Sequence, residues 1–246
     1  MSGQKTRRQE LLIRLQASET GDVLYPLALQ GISLGHLAAT APDAAILRLL
    51  MERGISLDVR DSKRMHPIHW AAGKGSLDSV KLLVEEAGVS PKQRDAEGRS
   101  PLDLAAQYGH LPLVRYLIEE RGMDPTKVNK HASLKRTAHV FSAEYRYPIC
   151  SQGYNPLHWA CKMRRGDVAD YLLDKTQIDP LAKDKDGNHA LVLALRPCYE
   201  REAPDQGLPI LELLYRKAPQ ALEMSGPFFG KDMSCCSRYW ISAAYD

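Results

Sequence analysis

Histidines recur along this 246-residue chain at His36, His69 and His158, and an imidazole can ligate a metal or move a proton near neutral pH. Their spacing argues against both uses. They occupy one position of a repeating motif and so sit in separate structural units, whereas the ligands of one ion must all lie within about 2.0–2.3 Å of it. A second set, His131, His139, Cys150 and Cys161, supplies zinc-type donors without a close C-x2-C or H-x3-H pair. Cys235 and Cys236 are adjacent, which makes a weak metal pair. The five cysteines are odd in number and scattered, and read as reduced thiols. No nucleophile elbow, phosphate loop, zincin helix or kinase set occurs. No catalytic residue, metal or cofactor is therefore assigned, and the chain does not read as an enzyme.

The motif itself is His66-Pro67-Ile68-His69-Trp70-Ala71-Ala72, Ser100-Pro101-Leu102-Asp103-Leu104-Ala105-Ala106 and Asn155-Pro156-Leu157-His158-Trp159-Ala160-Cys161. Degenerate copies flank these at 33–39 and 189–195, so the first alanine falls at 38, 71, 105, 160 and 194, in steps of 33, 34, 55 and 34. Each copy predicts a short helix: Ser100 or Asn155 caps free amides, with His66 a poorer cap, and proline takes the first helical position, where no donor is lost. Gly75 and Gly109 follow the first alanine by four residues and end the helix in a left-handed turn. In the fourth copy Arg164 stands there, which predicts a strained or displaced turn. Apolar stripes predict a second helix per repeat through Ile46-Leu49-Leu50, Leu77-Val80-Leu83-Val84, Leu111-Val114-Leu117-Ile118 and Val168-Leu172-Leu173, ended by Gly54, Gly88 and Gly122 in the first three.

A period of about 33 residues with a Pro-Leu-His-x-Ala core resembles the ankyrin repeat family. The resemblance implies an all-α ankyrin-repeat solenoid of helix-turn-helix repeats joined by β-turn fingers, five repeats over about 22–222. It also implies that the motif histidines bond backbone near the next finger and that Trp70 and Trp159 are core. Residues 1–21 read as an N-terminal capping helix, and the aromatic segment 223–246 as a C-terminal cap or tail, because the ends of a repeat stack need covering.

The irregularities are where recognition is expected. The step of 55 is 34 plus a 21-residue insertion at 131–151 in the finger before repeat four, where Lys135, Arg136 and Arg146 are interleaved with Phe141, Tyr145 and Tyr147. Loops longer than about 12–15 residues are commonly functional, and the alternative is a local hairpin folded on the array. A longer connector at 197–205 in repeat five reads as a tolerated inter-helix loop. In the geometry the resemblance implies, the exposed side of the inner helices and the finger tips form a concave groove, assigning Arg64, Met65, Lys74, Arg99, Gln107, Tyr108, Lys162 and Met163 to partner contact.

Composition is that of an ordinary folded chain, 44% hydrophobic and 26% charged, enough to bury a continuous core. No apolar run approaches the roughly 18 residues of a membrane span, and no secretory segment or myristoylation pattern is found at the N-terminus, so a cytoplasmic or nuclear location is expected. The net charge of +3 is too small to argue for nucleic acid, although 127–151 carries a local +4. The expectation is a non-catalytic scaffold, adaptor or subunit that binds a protein partner. The alternatives are an anionic surface held by the basic insertion, and the ankyrin portion of a larger enzyme.

Overall fold

Residues 31–127, 153–195 and 208–217 are described by the computed structural model, and the chain divides into two compact units, Met1–Ala96 and Glu97–Asp246. In the first unit, α1 (Leu34–Ala39) and α2 (Ala45–Glu52) form repeat one, and α3 (Pro67–Lys74) and α4 (Leu77–Glu85) form repeat two. The inner helices α1 and α3 pack on each other, and the outer helices α2 and α4 do the same. In the second unit, α5 (Pro101–Tyr108) is followed by α6 (Leu111–Arg115), which runs on into a π-helical turn, Tyr116–Glu120. Repeat four supplies α7 (Pro156–Lys162) and α8 (Gly166–Lys175), and repeat five α9 (Ala190–Leu195) and α10 (Leu208–Lys217). Here α5, α7 and α9 make the inner layer, and α6, α8 and α10 the outer. No strand occurs among the described residues.

The motif explains the inner layer. Ser100 Oγ accepts the Asp103 amide at 3.3 Å and Asn155 Oδ1 the His158 amide at 2.9 Å, capping α5 and α7. His66 provides no such cap for α3; its ring lies between Asp58, with Nδ1 2.7 Å from Oδ1, and Arg60, whose Nε donates to Nε2 at 3.0 Å. The small pairs Ala71-Ala72, Ala105-Ala106 and Ala160-Cys161 are sealed from solvent, because a methyl or thiol is all that fits where two helical layers approach. Gly75 and Gly109 adopt the left-handed backbone at φ 73° and 82°. Arg164 adopts it too, at φ 55°. The turn of repeat four is therefore undisplaced and strained.

The expected outer stripes are buried at Ile46, Leu50, Val80, Leu83, Val114, Leu117, Val168 and Leu172, and depart from expectation at their flanks. The buried residues are Ile46, Leu47 and Leu50 in α2, Val80, Leu82 and Leu83 in α4, and Val168, Ala169, Tyr171 and Leu172 in α8. Leu113, Val114, Tyr116 and Leu117 are buried along α6 and its π-turn. Leu49, Leu77, Val84, Leu111, Ile118 and Leu173, expected in the core, are part-exposed. Both flanks of these helices are apolar, so periodicity alone does not choose between them; burial falls on the flank holding Leu82 and Leu113.

The fingers turn on an aspartate. Asp61 Oδ1 accepts the amides of Lys63 and Met65 at 2.9 and 2.8 Å, while Asp184 Oδ1 accepts those of Asp186 and Asn188 at 2.9 and 2.8 Å. Three residues on, the second of these fingers has Gly187 at φ 83°, and the first has Arg64 at φ 56°. The N-terminal segment 1–21, the insertion 131–151, the loop 197–205 and the tail 223–246 lie outside the described residues.

Candidate recognition surface

The motif histidines are consumed by the fold. His69 Nδ1 accepts the His66 amide at 3.0 Å, which leaves the proton on Nε2, and Nε2 meets the Gln93 carbonyl at 3.2 Å. His36 repeats this with the Ser33 amide at 3.0 Å and the Met65 carbonyl at 2.8 Å, and His158 with the Asn155 amide at 3.1 Å and the Ala182 carbonyl at 2.9 Å. Each ring thus ties the start of its own helix to the following finger. Burial holds His158 below its ordinary pKa, against the opposing pull of the Ala182 carbonyl. In repeat three Asp103 takes over the first half of the task, accepting the Ser100 amide at 2.8 Å through Oδ2. No cluster of three or more His, Cys, Asp or Glu side chains able to hold a metal ion occurs among the described residues.

Trp159 is 1% exposed, edge-on to Tyr154 at 5.0 Å, with Lys162 Nζ 5.0 Å above the Tyr154 ring and 5.4 Å above Trp159. Trp70 is less covered and donates Nε1–H to Asp61 Oδ2 at 3.2 Å. Cys161 is buried, and burial pushes its thiol far above the ordinary range. On the outer layer, Tyr171 donates to Glu119 at 2.8 Å; burial and that carboxylate raise its phenol pKa to about 12.

Among the residues expected to contact a partner, the first unit presents Arg64 and Lys74 to solvent and half-covers Met65. In the second unit Tyr108 is 40% exposed and stacked on His110, while Lys162 and Met163 are part-exposed. Arg99 and Gln107 are corrected, at 8% and 3% exposed. A carboxylate oxygen of Glu97 holds Arg99 at 3.2 Å, and the Arg165 side chain crosses the turn beside Gln107, donating Nε–H to its carbonyl at 3.4 Å. Lys135, Arg136, Phe141, Tyr145, Arg146 and Tyr147 lie outside the described residues.

Two residues were absent from the expected set. Arg164 carries a buried Nε with no acceptor among the described residues, and Arg165 packs so closely over Gly109 that a Cβ there would stand 2.8 Å from its Cδ. The available signal was register: repeats two and three place Gly75-Ser76 and Gly109-His110 where repeat four places Arg164-Arg165.

A family model of ankyrin repeats in three copies matches residues 35–129, and a single ankyrin-repeat model matches 152–185, together more than half of the chain. The chain belongs to the ankyrin repeat family. No curated protein matches it. The two matches cover repeats one to three and repeat four; the inner and outer helical layers continue beyond them through α9 and α10, where Leu191, Leu193, Ile210 and Leu214 are buried. Ankyrin repeats are in general protein–protein interaction modules, and no helix among the described residues is long and apolar enough to cross a membrane.

Proposed function

We propose that this ankyrin array is a non-catalytic recognition module, a scaffold, adaptor or subunit that grips a protein partner through the ends of its inner helices and its fingers. The observation that carries this reading is a motif position. Three residues after the first alanine, successive repeats place Lys74, Tyr108 and Met163, the first two exposed and the third half-covered, while the alanines themselves are sealed. The aromatic and the thioether share one register of the second unit's inner helices and are contact residues of the kind that dominate interfaces. Within the first unit, Arg64 and Met65 on a finger are assigned to the same task.

The insertion 131–151 is assigned to the same task. Its composition supports this, as do the family matches, which stop at 129 and resume at 152. Capture from a lysate with the intact chain, and with 131–151 replaced by a two-residue turn, separates the contributions. A partner held by the intact chain alone assigns recognition to the insertion, and equal capture assigns it to the inner-helix ends. A partner lost steeply between low and physiological salt, and replaceable by nucleic acid or acidic lipid, would overturn the protein-partner reading.

A further inference from the structure

We infer that the turn edge of repeats three and four is a docking site for an acidic peptide segment of a partner, with carboxylates at Arg164 and Arg165 and an apolar side chain against Tyr108. This rests on reading the inner-helix ends as the recognition surface, and it names the chemistry they select. Two observations converge. The first is strain without local reward: Arg164 holds φ 55° where repeats two and three use glycine, and its buried Nε meets no acceptor among the described residues. A left-handed non-glycine backbone costs about 1–2 kcal/mol, and strain of this kind gathers at ligand sites. The second is charge. Lys162, Arg164 and Arg165 fall within four residues, and neither arginine forms an ion pair among the described residues. The nearest acid in sequence, Asp167, sits exposed in the first turn of α8.

Geometry brings a second repeat into the site. The Arg165 stem crosses Gly109, the left-handed turn directly after Tyr108, so the arginine pair and the 40% exposed ring share one edge of the α5–α7 layer. A guanidinium is planar and offers paired donors that match a carboxylate, and the adjacent ring favours a neighbouring apolar side chain. A carboxylate delivered by a partner would balance the charge of the arginine pair, which meets no acid among the described residues.

The test is selection of a random dodecapeptide display library on the full-length chain, followed by fluorescence anisotropy of the best peptides. Enriched peptides are expected to carry Asp or Glu beside an aromatic or aliphatic residue. They should bind the Arg164→Gly/Arg165→Ser double variant, which restores the residues of repeat two, about tenfold more weakly. Raising salt from about 50 to 200 mM should weaken the native chain more than the variant. If the double variant misfolds by circular dichroism, the exposed Arg165→Glu alone should still weaken the same peptides several-fold. Acidic peptides that bind the variants undiminished, or selected peptides without acidic enrichment, overturn the inference and leave the protein-binding reading standing. No enriched peptide at all overturns both. Tighter binding to a single-stranded RNA dodecamer through the same arginines overturns the acidic-peptide assignment.

Discussion

Replacing Arg164 by glycine should stabilise this protein. Arg164 is held at φ 55°, in the conformation that Gly75 and Gly109 occupy at φ 73° and 82° in the preceding repeats. Relief of the Cβ clash contributes about 1–2 kcal/mol, and glycine gives back about 0.4–1 kcal/mol through the greater freedom of the unfolded chain. Removing the buried Nε, which meets no acceptor among the described residues, adds roughly 1 kcal/mol at the low end for an unsatisfied polar group. The net expectation is a gain of about 1–2 kcal/mol. Urea unfolding followed by far-UV circular dichroism would show it as a raised midpoint with unchanged slope. The reciprocal Gly109→Ala introduces the same strain and sets a Cβ 2.8 Å from Arg165 Cδ, an exposed stem that can swing away, so it should lose about 1 kcal/mol. An Arg164→Gly protein less stable than the parent would refute the reasoning, since it would mean the guanidinium stem holds more in packing than its backbone costs. If Arg164→Gly also weakens peptide binding, the residue trades stability for recognition.

His69→Ala should cost about 2–4 kcal/mol, because a fully buried ring that binds the His66 amide and the Gln93 carbonyl is lost, whereas exposed Lys74→Ala should stay within about 0.5 kcal/mol; denaturant midpoints distinguish them. Burial lowers the pKa of His66, His158 and His189 in the fold, so as pH falls through about 6.5 the unfolded chain takes up protons first. Stability should therefore drop between pH 7.5 and 5.5, with a smaller drop in His158→Gln; a pH-independent midpoint contradicts this. Cys161 is buried and holds its proton, so iodoacetamide followed by peptide mass spectrometry should find it unmodified in the native chain and modified in urea.

The inner layer was legible because its determinants are local and positional. Proline after a cap, an alanine pair and a glycine four residues on describe one backbone path; α5 has every part of it, while α3 follows it without the cap and α7 with Cys161 and Arg164 in place of the second alanine and the glycine. Arg164 was legible as an anomaly, and the structure resolved it toward strain rather than displacement. The outer stripes were legible at their centres, Val80 and Leu83 in α4, and not at their flanks: α4 offers Leu82 on one side and Val84 on the other, and the choice is made by packing that periodicity does not encode. Arg99 and Gln107 misled because polarity predicts exposure only when no neighbour covers the group, and both are buried, Arg99 paired with Glu97. The role of Asp103 was hidden by type, since a carboxylate there does what an imidazole Nδ1 does in three other repeats.

Hydrogen exchange of the full-length chain, free and bound to the partner or selected peptide that it captures, tests the central claim most directly. Slowed exchange is expected at the inner-helix ends and the turns that follow them, 73–76, 107–110 and 162–165, with the outer helices α2, α4 and α8 unchanged. Protection confined to the outer helices, or absent from all three turns, would contradict it.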